Sequence, residues 1–137
     1  MTTETLTFER ANWSAEAAQM LTASTRRAPL TTAADYRDLL AVDPTAHLYR
    51  VSGDAGTVGF VLIRTEHFSG GREGVIVAAA GRLPGVDLVE AILPTIEGEF
   101  NGVDCYRFAT ARTGLVRKMK RQGYQITHVV MRKVARP

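Results

Sequence analysis

Six consecutive residues, Arg82-Leu83-Pro84-Gly85-Val86-Asp87, stand where an apolar run gives way to a helical pattern. Successive backbone N–H groups and a helix N-terminus at such a junction attract negative charge. Asp87 in the same turn suits the helix dipole but repels an anion. Pro84 removes one donor. A capped helix start behind a proline-glycine turn, with no ligand, accounts for the same six residues. A carboxylate, Glu73, stands at the start of the preceding apolar run. Glu66 and His67 lie just before it. Each has a plain alternative: Glu73 covers the start of a strand, and His67 is a loop histidine. Cys105 is the only cysteine, so it forms no internal disulfide and belongs to no metal-ligand cluster. Its apolar-aromatic setting, Cys105-Tyr106-Arg107-Phe108, suggests a buried structural thiol. Spacing supports no Ser-His-Asp set, no metal site and no P-loop.

Charge supplies a second candidate surface. All 14 acidic residues precede residue 105, and nine of the 17 Lys and Arg residues follow it. With a net charge of +3, the two stretches carry −6 and +9. Arg112, Arg117, Lys118, Lys120 and Arg121 cluster around one helical stretch and form a candidate partner-binding face. An acidic protein surface or phosphate groups would suit it, and salt would weaken the contact. Late cations also complement the helix dipole without any ligand. Aromatic interleaving is sparse, so no stacking platform for single strands is expected, nor sequence-specific nucleic-acid recognition.

The elements that must carry these residues follow from periodicity. The chain of 137 residues, 45% hydrophobic, fits one domain over 1–137. No apolar run reaches the length of a membrane span, and the N-terminus lacks the pattern of a signal peptide. A strand is expected at 5–10, then a helix capped by Ser14 and running to about Ala23. A loop follows at 24–29. Thr32 and Asp35 suggest a capping box for a second helix that ends before Asp43. Residues 47–52 and 57–65 form a hairpin around the four-residue turn Gly53-Asp54-Ala55-Gly56. Residues 66–72 read as a loop, and 73–80 as a central strand. A helix over 86–100 contains Pro94, which predicts a kink or break. A strand at 105–109, a helix at 110–122 stopped by Gly123, and a last strand at 126–134 complete the order.

This β-α-α-β-β-β-α-β-α-β order resembles the GNAT superfamily of N-acetyltransferases over nearly the whole chain. The family pattern Q/R-x-x-G-x-G/A before the coenzyme A-binding helix is matched by Arg82 and Gly85, with Asp87 at its final small position. The last helix resembles the family's ending: Gly123-Tyr124 stands for Gly-Phe, and Met119 stands where the family has its general-acid tyrosine. Methionine has no proton to give. The resemblance implies an α/β fold, GNAT-like, with a mixed, mostly antiparallel sheet and helices on both faces. It implies acetyl-coenzyme A as cofactor if the protein is active, held by Arg82, Gly85 and Val86, with Glu73 as candidate base. A looser likeness, carried by length and by Arg112-Thr113-Gly114-Leu115-Val116-Arg117-Lys118, is to acetyltransferase-like proteins of tailed-phage virion gene clusters.

Three functions are consistent with these residues. One is a GNAT-fold binding or assembly module without conventional acetyl transfer, in a virion if phage-encoded. Another is an acyl-coenzyme A-dependent N-acyltransferase acting on a small-molecule or protein amine. The third is a small effector that binds an acidic partner through its basic C-terminal face. A protein partner or a homo-oligomer fits each, and a cytoplasmic or virion location with no membrane contact is expected.

Overall fold

The computed structural model describes residues 4–25, 30–110 and 112–135. Strand β1 (Thr7–Arg10) leads to helix α1 (Ala15–Leu21), whose Ser14 cap accepts from the Ala17 amide at 3.1 Å. A 3-10 turn over Thr22–Thr25 replaces the last helical turn expected to Ala23. Residues 26–29 of the expected loop lie outside the described residues. Helix α2 (Ala33–Val42) opens on the Thr32/Asp35 capping box. Then come β2 (His47–Gly53), β3 (Gly56–Phe68), β4 (Gly71–Gly81), α3 (Leu88–Gly98), β5 (Cys105–Phe108) and α4 (Thr113–Arg121).

The sheet has order β1-β2-β3-β4-β5. Its first three pairings are antiparallel, and β5 joins β4 in parallel through the crossover helix α3. Helices cover both faces. Under α3 and α4 lie Tyr49, Val61, Ile63, Ile76, Leu93, Ile96, Phe100 and Met119. Under α1 and α2 lie Ala17, Leu21, Tyr36, Leu48, Phe60, Leu62 and Ala78. The alternation of Val61 and Ile63 with Phe60 and Leu62 feeds both layers from one strand. Gly74 lets α3 close down on β4: a Cβ there would stand 2.8 Å from the Phe100 ring.

Four expectations are corrected. The first hairpin turn holds two residues, not four, because Gly53 pairs with Gly56. Residues 66–72 are not a loop. The β3–β4 ladder continues through Glu66–Glu73 and His67–Arg72 to Phe68–Gly71, leaving only Ser69-Gly70 to turn. Periodicity missed this end because its side chains are mostly polar and none is fully buried. Helix α3 runs through Pro94 unbroken over its two and a half to three turns; Pro94 and Glu90, whose carbonyl loses the N–H partner, both lie on the exposed side. Finally, 126–134 forms no strand. Strand formation needs a ladder partner as well as apolar side chains. None is engaged there among the described residues.

Candidate functional site

The junction between β4 and α3 is built from a turn and a cap. Leu83-Pro84-Gly85-Val86 has the Val86 amide donating to the Leu83 carbonyl at 3.1 Å and φ of +79° at Gly85. Proline second and a positive-φ glycine third are what a type II turn requires. The turn hands the chain to Asp87, the N-cap of α3. One oxygen, Oδ1, accepts from the amides of Val89 at 3.1 Å and Glu90 at 3.3 Å. The same oxygen lies 3.5 Å from Nζ of Lys118 on α4. Asp87, Glu90, Lys118, Arg121 and Gln122 line a recess of about 220 Å³ between the two helices. Arg82 is exposed, and its amide donates to the Val58 carbonyl at 3.0 Å. Among the sequence candidates, then, Val86 spends its amide on the turn. Two of the first-turn amides that an anion would need, those of Val89 and Glu90, are bonded to a carboxylate of the chain itself.

At the end of α4, Met119 is 6% exposed and packs in the core under α3 and α4. Gly123 closes the helix, and the Tyr124 amide reaches back to the Met119 carbonyl at 3.1 Å. The Tyr124 hydroxyl donates to Glu97 Oε2 at 2.9 Å. Burial first, then the adjacent Glu97 carboxylate, pushes this phenol well above its ordinary value. It is a poor acid where it stands. The sequence marked Tyr124 only as a helix-end residue; its bond to Glu97 joins positions 27 residues apart and leaves no local signal.

The carboxylates lie elsewhere. β4 runs from Gly71 to Gly81, so Glu73 and Arg82 sit at opposite ends of it, roughly 30 Å apart by strand rise. Glu66 and Glu73 face each other across β3 and β4, and Glu73 faces Cys105 on β5. Arg107 bridges both, with Nη2 2.8 Å from Glu66 and Nη1 2.7 Å from Glu73. Arg64 binds the same Glu66 oxygen and reaches Asp43, at the end of α2, at 2.9 Å. Hydrogen bonds from the Arg107 and Arg64 guanidiniums, led by Arg107, hold the Glu66 carboxyl below its ordinary value despite some burial. The Arg64 bond likewise lowers Asp43. Glu73 Oε2 accepts from the Cys105 thiol at 3.1 Å, which raises the thiol's pKa. Cys105 is therefore exposed rather than buried, because β5 is the outermost strand. Its raised pKa works against thiolate chemistry. This network escaped the sequence reading: Arg64, Arg107 and Asp43 occur singly, at ordinary strand and helix ends. His67 is exposed and pairs across the ladder with Arg72.

On α4, the side chains of Arg112, Arg117, Lys118, Lys120 and Arg121 are all exposed. Among the described residues, Lys118 alone of these five lies in an ion pair with a carboxylate. The structure thus brings the basic face next to the β4–α3 junction through Lys118 and Asp87, and it leaves Glu66 and Glu73 apart from both. Among the described residues no group of His, Cys, Asp and Glu could hold a metal ion, and no helix is long and apolar enough to cross a membrane.

The arrangement of elements is that of the GNAT acetyltransferases. A ribosomal-protein-alanine N-acetyltransferase from Brucella melitensis biovar Abortus 2308 superimposes with a TM-score of 0.66 at 16% identity, covering 96% of this chain and 99% of that one. The aminoglycoside N-acetyltransferase AAC(6')-Iy, solved in complex with CoA, gives 0.62 at 12% identity over 99% and 98%. A transcriptional regulator from Bacillus halodurans C-125 gives 0.65 at 14% identity over 95% and 99%. No protein-family model and no curated protein sequence matches the chain. Likeness at these identities defines the fold: an acetyltransferase-like scaffold, on which the chemistry belongs to the individual side chains.

Proposed function

We propose that this chain is a GNAT-fold binding or assembly module that does not carry out conventional acetyl transfer. One observation carries the reading: Asp87 Oδ1 already accepts from the Val89 and Glu90 amides at the start of α3. A pyrophosphate at this helix N-terminus would have to displace a charged cap and then sit beside it. Pro84 and the bonded Val86 amide leave the preceding turn few donors. The residues present therefore do not fit the pyrophosphate of coenzyme A. Two further features support the same reading. Met119 is apolar and buried where the family resemblance calls for a proton donor. Glu73 is occupied by Arg107 and Cys105 at the far end of β4.

The binding surface we assign is the exposed face of α4: Arg112, Arg117, Lys120 and Arg121, with Lys118 at its border. An acidic protein surface is the partner this charge would suit, and association would weaken with salt. An assembly role in a virion belongs to the same reading, since a structural module needs a fold and a docking face but no reacting group.

Thermal unfolding with and without excess acetyl-coenzyme A tests the proposal. A ligand at about 100 times its Kd stabilises a protein by roughly 2.7 kcal/mol, a shift of several degrees. The wild-type protein is expected to show no shift. A shift of that size, or a mass increase of an amine incubated with protein and acetyl-coenzyme A, overturns the proposal. Asp87→Gly sharpens the test. Acetyl-coenzyme A binding gained by that variant alone identifies the carboxylate as the obstacle on an otherwise competent loop.

A further inference from the structure

β3 outlasts its neighbour. β2 begins at His47, opposite Ile63, while β3 continues to Phe68. A side chain fills the next rung: the Thr45 hydroxyl accepts from the Thr65 amide at 3.0 Å and donates to the Thr65 carbonyl at 3.2 Å. Thr65 thus turns its N–H and C=O away from β4, and in an antiparallel ladder every second residue does the same. The facing strand has the matching parity. Arg72 donates its amide to Asp104 Oδ2 at 2.8 Å, and its carbonyl accepts from the Asp104 amide at 2.8 Å, both away from β3. Arg72 stands opposite His67. His67 therefore aims its own N–H and C=O outward, and among the described residues no other group of the chain bonds them.

We propose that this end of β3 takes up an extended peptide from a partner protein, added as a short strand antiparallel to β3 in the line that β2 leaves. The peptide is apolar, acidic and apolar at three successive residues, with the acidic one opposite His67. The backbone rung selects a peptide: one residue of it exchanges both bonds with His67, donating its amide to the carbonyl and accepting from the His67 amide. Thr45 already does the same work at Thr65 with a hydroxyl, so the edge is shaped for a bonded neighbour.

Side chains set the rest of the pattern. The edge opens on a groove of about 490 Å³ between the end of α2 and the end of β3, with Val42, Pro44 and Phe68 in its lining. Val42 is 78% exposed and Phe68 57%, so two large apolar side chains stand uncovered at one place. The carboxylates of the groove are engaged, Asp43 by Arg64, and Glu66 by Arg64 and Arg107. Arg72 is exposed across the ladder from His67, and among the described residues its guanidinium is in no ion pair. A residue opposite His67 shares the face of His67 and Arg72, where a carboxylate complements the unpaired cation. Its two neighbours turn to the other face, where Val42, Pro44 and Phe68 lie with Glu66. The groove is at the Glu73 end of β4, away from Asp87 and from the basic face of α4. It is thus a second surface, independent of that one.

Titration of the isotope-labelled full chain with the peptide acetyl-Ser-Val-Glu-Val-Ser-amide, followed by nuclear magnetic resonance, tests the proposal. Saturable shifts are expected at the amides of Val42, His67 and Phe68, with slower hydrogen exchange at His67. The same peptide N-methylated at its glutamate lacks the donor to the His67 carbonyl and is expected to lose binding. Lysine in place of the glutamate is expected to bind several-fold more weakly, and Arg72→Gln to abolish that preference while keeping the dependence on the backbone amide. No saturable shift at millimolar peptide overturns the proposal. So does an N-methylated peptide that binds as well as its parent, or a preference for glutamate that survives Arg72→Gln. Shifts gathered on α4 instead assign the peptide to the basic face, and shifts at His67 that grow with protein concentration alone assign the edge to a second copy; either overturns it. The peptide series on the wild-type chain decides the matter even where the variant is poorly folded.

Discussion

The β2–β4 hairpins and the chain after α4 spend the same residue types in opposite ways. Val61, Leu62 and Ile63 on β3 are at most 2% exposed, whereas Val129, Val130 and Met131 are at least 70% exposed. Local propensity does not separate them, since both runs are β-branched or apolar. What separates them is pairing. β3 has a neighbour on each side and a helical layer on each face. The later run has neither among the described residues. Strand propensity is thus a measure of fit to a pleated, covered surface, and it is realised only where such a surface is supplied.

The largest expected effect belongs to the covered side of this comparison. Phe60 is fully buried between β3 and the layer of α1 and α2, with Arg50 stacked over its ring at 5.5 Å. Phe60→Ala is expected to cost about 3–5 kcal/mol in urea unfolding, through lost burial and an uncollapsed cavity. Val129→Thr, at the same polarity change or greater, should cost under about 0.5 kcal/mol at a concentration where the protein is monomeric. Equal losses at the two positions would break the comparison, since they would mean that the segment is already covered.

The same contrast explains what could be read without a structure. The helix caps at Ser14 and Thr32, the first hairpin and the apolar run of β4 announce themselves, because their signals lie within a few residues. So does the overall order, and with it the fold. Glu73, Arg82, Gly85 and Val86 are visible in the sequence as residue types at strand and helix boundaries, but their partners are not. Arg107 meets Glu66 across 41 positions, and Tyr124 meets Glu97 across 27. Such pairs exist only once strands are in register. The extension of β3 and β4 past Glu66 was hidden for a related reason. A mostly polar ladder end has no apolar alternation to betray it. The last strand was over-read, because its pattern says that it can pair and not with what.

Asp87, which follows β4 and contacts Lys118 on α4, offers a sharper and smaller test. Asp87→Ala removes the side-chain acceptor of the Val89 and Glu90 amides and is expected to cost about 1 kcal/mol. Asp87→Asn keeps an acceptor and loses only the charge, so its cost should be a few tenths of a kcal/mol. Urea unfolding of the three proteins checks both. A large loss in Asp87→Asn would give the weight to the Lys118 contact, which at 3.5 Å and partial exposure is expected to contribute little.

The smallest effect lies in the ion pairs that fasten β5 to the hairpins. Glu66 joins Arg64 on its own strand to Arg107 on β5, and all three side chains are 23–40% exposed. Screening by solvent limits what Glu66→Gln can remove to a few tenths of a kcal/mol, at most about 1. Its pH dependence is more telling than its size. The arginines hold the Glu66 carboxyl below the 4.5 ordinary for this group, so the unfolded chain takes up the proton first as pH falls. The stabilisation is therefore complete above the unfolded value and is lost as pH drops through the folded one. Urea midpoints of wild type and Glu66→Gln should differ at neutral pH and converge in acid, once the pH has fallen well below the ordinary carboxyl value. A difference that persists there would show that Glu66 acts through packing rather than charge. β5 would then be held to β4 by the same covered surface that holds the hairpins, and the contrast between the two regions would begin only after α4.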